Sequence, residues 1–169
     1  RFTSNQNVII SNIDPKNKEK VEKILEKYNV SDKGVSNIRK NAMACVALNT
    51  CPLALAEGQR YLPDLIGKFE ILLKKHDISN NPVSVRMTGC PNGCARPFMA
   101  EIGFVGKAMG VYNMYIGGSA TGERLNTLYK EDLNENEILE NLDILFAQYV
   151  REKQENETFG DFSYKLIKN

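Results

Sequence analysis

Thr88-Gly89-Cys90-Pro91-Asn92-Gly93-Cys94 is the stretch on which the fold turns. Just upstream, Val83, Val85 and Met87 alternate with Ser84, Arg86 and Thr88, the period-two pattern of a half-buried strand aimed at Gly89-Cys90. No bulky side chain stands between the two thiols, and the glycines let the backbone wrap closely and turn where φ must be positive. The strand therefore delivers a cysteine pair on a tight loop.

A second pair lies upstream. Cys45 and Cys51 are separated by five residues, 38 residues follow, and Cys90 and Cys94 are separated by three. Each pair touches a proline, as Cys51-Pro52 and Cys90-Pro91. Ala42, Ala44, Ala47, Ala54 and Ala56 leave room around the first pair, although helix preference alone would also account for them. Four cysteines in two close pairs, with no fifth, suggest one site with four thiolate ligands. A disulfide framework suits small secreted chains that lack a core of their own. Structural zinc favours about two to four residues between paired ligands, and five followed by three departs from that. An iron–sulfur cluster also takes four thiolates, and accepts irregular spacing on loops whose backbone N–H groups can hydrogen-bond the sulfurs. The residues favour the cluster and leave the other two open.

Outward from the cysteines the pattern is α+β, a mixed sheet with flanking helices. Residues 6–12 form a β-type run, and Asp14-Pro15 sets an N-cap before a helix carrying Val21, Ile24, Leu25 and Tyr28 on one stripe. Asn29 through Gly34 breaks the pattern, which places a boundary near residue 33 and a larger piece over 34–169. Helical patterns follow from about Pro52 to Tyr61 and from Pro63 onward, the second with Leu65, Ile66, Phe69, Leu72 and Leu73 on one side. Alternating runs lie around Phe98 to Phe104 and Val111 to Ile116. Asn134 and Glu137 have capping-box spacing ahead of Ile138, Leu142, Leu145 and Tyr149, and Phe159, Phe162 and Tyr164 are expected to dock the tail.

Of the 169 residues, 42% are hydrophobic and 25% charged, with a formal net charge of +1. That composition supports a real core, and it supplies neither the basic field that non-specific nucleic-acid binding needs nor a polybasic face for anionic lipid. No apolar run approaches the roughly 18 residues of a membrane span, and the polar start is unlike a secretory signal. A soluble, cytoplasmic protein is expected. Its first residue is Arg, and the opening runs straight toward a strand, which suggests a piece of a longer chain.

Specific motifs carry a resemblance. Met43-Ala44-Cys45-Val46-Ala47-Leu48-Asn49-Thr50-Cys51-Pro52-Leu53-Ala54-Leu55-Ala56-Glu57, together with Arg86-Met87-Thr88-Gly89-Cys90-Pro91-Asn92-Gly93-Cys94-Ala95-Arg96-Pro97, resembles the sirohaem and [4Fe–4S] signature of assimilatory sulfite reductases. Ala100 through Lys107, Tyr112 through Gly118, and Phe159-Gly160-Asp161-Phe162 are similar to the haemoprotein (β) subunit of the NADPH-dependent type. The resemblance runs from Asn5 to about Tyr164. It implies that residues 1–33 are the C-terminal part of a ferredoxin-like half-domain, and that 34–169 bind the cofactors. It further implies that Cys45, Cys51, Cys90 and Cys94 ligate the cluster, with Cys94 bridging to the sirohaem as the catalytic thiolate. Asn92 would lie near the macrocycle, Gln6, Asn7 and Arg96 would serve its carboxylate rim, and Gly117 and Gly118 would flank it. The implied reaction is six-electron reduction of sulfite to sulfide, with a flavoprotein (FAD/FMN) subunit as electron donor. The cationic sulfite pocket is implied to come largely from an N-terminal remainder of the parent chain, so the fragment alone is expected to be inactive. A ferredoxin-dependent nitrite or sulfite reductase is the nearest alternative, and a non-enzymatic zinc-stabilised binding module is the alternative outside the class. Asn49 stands where the family usually has proline, and Met109-Gly110-Val111 replaces a more typical Pro-Gly-Arg, removing a cation.

His76, the single histidine, sits at a helix end where it complements the dipole. Gly117-Gly118-Ser119-Ala120-Thr121-Gly122 lacks the Gly-Lys-Ser/Thr ending of a phosphate loop and reads as a turn after a strand.

Overall fold

A computed structural model describes residues 1–168, which divide into two compact units, one from Arg1 to Val35 and one from Ser36 onward. In the first, the Asp14 carboxylate accepts the Lys16 N–H at 3.0 Å and caps a 3-10 turn over Pro15–Asn17. Helix α1, Lys18–Lys27, follows. The expected strand over 6–12 reduces to one antiparallel bridge between Phe2 and Val8. A strand exists through a neighbour's hydrogen bonds, and no further partner is present among the described residues of this unit. Val8, Ile9 and Ile10, and Ile24 and Tyr28 on α1, are exposed.

The second unit is a five-stranded mixed sheet with flanking helices. Its strands are β1 (Ala42–Ala44), β2 (Val85–Thr88), β3 (Ile102–Ala108), β4 (Val111–Ile116) and β5 (Thr127–Leu133), and they lie in that order. β1, β2 and β3 run parallel, whereas β3, β4 and β5 form an antiparallel meander. The parallel β1–β2 connection needs a long crossover, and helix α3, Leu62–Lys75, lies within it, whereas the short α2, Asn37–Lys40, precedes β1. Helices α4, Glu135–Glu152, and α5, Phe159–Lys168, complete the unit.

Pleating sorts the side chains. In register, Ala44 pairs with Met87 and Met87 with Phe104, and Phe104 pairs in turn with Met114. These face the core, where the Phe69 ring of α3 lies 6.1 Å from Phe104. On α4, Ile138, Leu142, Leu145, Phe146 and Tyr149 are buried, and Phe159 of α5 meets Phe146 edge-on at 5.2 Å. The tail docks as its aromatic spacing suggests, with Phe159 and Phe162 buried. The opposite sheet face carries Met43, Arg86 and Thr88, with Gly103, Val105, Asn113 and Tyr115 beside them.

The expected helix from Pro52 to Tyr61 is absent; that stretch is turns and bends. The N–H groups of Leu55 and Ala56 both donate to the Gly89 carbonyl, at 2.8 and 3.0 Å, instead of to carbonyls one turn back. The capping box at Asn134 is present, with Glu137 N donating to Asn134 Oδ1 at 3.1 Å and Asn134 N to Glu137 Oε2 at 2.8 Å. Among the described residues no helix is long and apolar enough to cross a membrane.

Candidate metal centre

Parallel pairing of β1 with β2 makes both cysteine loops leave the sheet at the same end, just beyond Ala44 and just beyond Thr88. The carboxyl ends of parallel strands are where open α/β sheets place ligands. Cys45 extends the ladder, its N–H donating to Met87 O at 3.1 Å. Cys51 is set by a one-turn bond from its N–H to Ala47 O at 2.8 Å. Cys90 follows β2 after Gly89, and Gly93, at φ +69°, turns the chain toward Cys94.

The two loops are joined by hydrogen bonds. Besides the two donors on Gly89 O, the Gly89 N–H donates to Cys45 Sγ at 3.4 Å, and Thr88 Oγ1 lies 3.5 Å from the same sulfur. All four cysteines are free; Cys90 is buried, Cys45 and Cys51 are half-buried, and Cys94 is exposed. Small residues make this closeness possible. A methyl on Gly89 would stand 2.6 Å from Ala47 Cβ and 2.6 Å from Ala56 O, and one on Gly58 would stand 2.8 Å from Cys45 O. Among the described residues, no three His, Cys, Asp or Glu converge on a point that would hold one metal ion.

Cationic groups border the second loop. Arg86 is half-buried with its guanidinium 3.5 Å from the Arg96 carbonyl, and Arg96 holds a left-handed φ of +52°. Burial, followed by the neighbouring Arg96 charge, pulls the Arg86 pKa down. An anion brought there would counter the Arg96 repulsion and favour the charged guanidinium. Arg60 donates to Leu48 O at 2.8 Å and so holds the first loop; the Leu48–Asn49 peptide is cis.

Other residues singled out from the sequence lie on other segments. Gln6 and Asn7 belong to the first unit. Gly117 and Gly118 approach the chain itself: Gly117 lies against the Tyr164 backbone, and a methyl on Gly118 would stand 2.1 Å from Ala100 O. Ser119 through Gly122 form a turn after β4, with Gly122 N bonded to Ser119 O at 3.0 Å. His76 ends α3 and its Nε2 lies 2.7 Å from Asp143 Oδ1 on α4, the structural role expected of it. Sequence reasoning passed over Thr88, Gly58 and Arg86. For Thr88 the available signal was a polar residue closing an apolar strand beside a cysteine.

Comparison with known proteins gives concordant results. No family model matches the chain. It is 57% identical over 168 residues to the sulfite reductase [NADPH] hemoprotein beta-component of Leptospira biflexa, covering 98% of this chain and 30% of that protein. The correspondingly named proteins of Staphylococcus carnosus and Shewanella loihica are 55% and 51% identical, over 96% and 98% of this chain and 29% of each of theirs. The chain thus spans about 30% of the length of these relatives. Among solved structures, that of the Mycobacterium tuberculosis NirA protein shares the fold, with a TM-score of 0.76 at 24% identity over 98% of this chain and 32% of that one.

Proposed function

Since the chain belongs to the family of sulfite reductase [NADPH] hemoprotein beta-components, we propose that it is the part of such an enzyme that holds a [4Fe–4S] cluster and one wall of a sirohaem site. The observation that carries this reading is the joining of the two cysteine loops through Gly89 and Cys45 Sγ, which brings four free cysteines to one end of two parallel strands. Bound together, the cluster and the sirohaem supply single-electron delivery to a substrate held at iron, which a reduction of sulfite to sulfide requires six times over.

The protein's share is positional. Cys45, Cys51, Cys90 and Cys94 would hold the cluster, and Cys94, the exposed one of the four, would supply the thiolate shared with the sirohaem. Backbone N–H groups such as that of Gly89 donate to ligand sulfur, stabilising added negative charge there. Arg96, with Arg86 beside it, would offer cationic charge to the carboxylates of the macrocycle, and Asn92 would lie near it. Gly117 and Gly118 would flank the same region. Residues 1–33, within the first unit, are the C-terminal part of a ferredoxin-like half-domain. The remainder of the parent chain closes the sulfite pocket, a flavoprotein subunit delivers the electrons, and the setting is cytoplasmic.

Iron and acid-labile sulfide analysis with EPR on anaerobically purified full-length protein tests the reading. Four iron atoms per cluster site and a spectrum of a cluster coupled to a haem are expected. Cys94→Ser is expected to abolish the coupling, and persistence of the coupled signals in that variant would overturn the bridging role.

A further inference from the structure

Thr88 is fully buried at the end of β2, and its hydroxyl lies between the two cysteine loops. Oγ1 is 3.5 Å from Cys45 Sγ and donates to the Cys90 carbonyl at 3.3 Å. A threonine hydroxyl has one proton to give and two lone pairs with which to receive. While Cys45 is a thiol, the bonds can run in series, from the Cys45 S–H to Thr88 Oγ1 and from Thr88 to Cys90 O. A sulfur bound to iron has lost its proton, so the first of these bonds cannot form. Unless the hydroxyl turns, an oxygen lone pair then faces an anionic sulfur in a buried, low-dielectric place, where an unmade hydrogen bond is costly. Rotation about one side-chain bond aims the Thr88 proton at the sulfur and converts that repulsion into a hydrogen bond.

We propose that Thr88 is a positioning residue whose hydroxyl donates to the Cys45 thiolate when the cluster is bound, acting with the Gly89 N–H on the same sulfur. The proposal rests on the reading of Cys45 as a cluster ligand. Two donors on one sulfur single out the corner held by Cys45, and donors to a ligand sulfur stabilise the reduced, more negative state of a cluster. Thr88 therefore raises the reduction potential, and it does so without touching substrate.

The test compares Thr88→Val, which keeps the shape and loses the hydroxyl, with Thr88→Ser, which keeps the hydroxyl, in the full-length protein purified anaerobically. The readouts are the cluster midpoint potential from an EPR-monitored titration and the Fe–S(Cys) stretching bands by resonance Raman in H2O and D2O. Thr88→Val is expected to shift the potential downward and to lessen the deuterium sensitivity of those bands, while Thr88→Ser stays at the wild-type values. Thr88→Ala is a second hydroxyl-free variant for which the same downward shift is expected, should valine disturb assembly. Wild-type potential and bands in the hydroxyl-free variants, or a serine variant that behaves like them, would overturn the proposal. Iron and sulfide analysis separates the two levels. A wild-type protein without a cluster removes the ligand assignment and this role together, whereas a wild-type cluster insensitive to the substitutions removes the role of Thr88 alone.

Discussion

Glycine does two different jobs in this chain, and single substitutions separate them. Gly89 holds no positive φ; its value is space, because a methyl there would meet Ala47 Cβ and the Ala56 carbonyl oxygen at 2.6 Å each. Both atoms belong to the opposing cysteine loop, and one is backbone, so the loops themselves would have to move. Gly89→Ala is therefore expected to lower stability by about 1–3 kcal/mol, the usual cost of overpacking a filled space. It should also reduce iron content, measured by thermal melting and metal analysis on the same sample. Gly110 is the contrast. It sits at φ +71° with open space around it, so Gly110→Ala costs only the left-handed strain of about 1–2 kcal/mol and leaves iron content unchanged. The sequence revealed that glycine and alanine crowd the cysteines. It could not show that Gly89 faces Ala47, Ala54 and Ala56, because a contact across more than thirty residues has no local pattern.

Elements were legible where one periodicity dominated. β2 shows its alternation and α4 its capping box, and both form as read. The Pro52–Tyr61 helix failed because the Leu55 and Ala56 amides are claimed by Gly89 O, tertiary bonds that override alanine's helix preference. β5 was not foreseen, since Thr127-Leu128-Tyr129-Lys130-Glu131-Asp132-Leu133 lies at the sheet edge, where both faces tolerate charge and alternation fades. Nor was the tail recognised as helix α5, although its aromatic residues were expected to dock. A buried acid anchors that helix. Glu101 is 1% exposed, and its two oxygens accept from Gly160 N at 2.9 Å and from Ser84 N at 2.8 Å, with Ser84 Oγ at 3.2 Å. An amide in its place would aim a donor at one of those N–H groups whichever way it turned. Glu101→Gln is expected to cost about 1–3 kcal/mol, the penalty of an unsatisfied buried donor. The loss should appear as faster amide hydrogen exchange at the start of α5, ahead of the sheet.

At the scale of the whole molecule, the titrating carboxylates set the direction in which acid acts. The Arg39 partner lowers the pKa of Glu70, Lys68 that of Glu135, Lys75 followed by His76 that of Asp143, Lys165 that of Glu157 and Arg124 that of Asp161. A carboxylate whose folded pKa is depressed contributes stability that is present above its unfolded value, about 4, and is lost as pH falls through the folded value. Glu101 acts in the opposite sense, because burial raises its pKa. Its native state holds the proton more tightly than the unfolded chain does, so its contribution favours folding below the unfolded value and fades as pH rises through the folded one. With Asp14, whose pKa the hydrogen bond from Lys16 lowers, six groups oppose one, and the urea midpoint is expected to fall steeply from about pH 4 downward. Most of these pairs are partly exposed, so added salt should flatten that acid limb by screening. In Glu101→Gln the opposing contribution is absent. Relative to its own value at pH 4, the variant's midpoint should then rise further toward neutral pH than that of the wild type. A variant profile parallel to the wild-type profile from pH 4 to pH 7 would show that the buried carboxylate carries no charge-linked cost, and that the hydrogen bonds from Ser84 and Gly160 fully offset its desolvation.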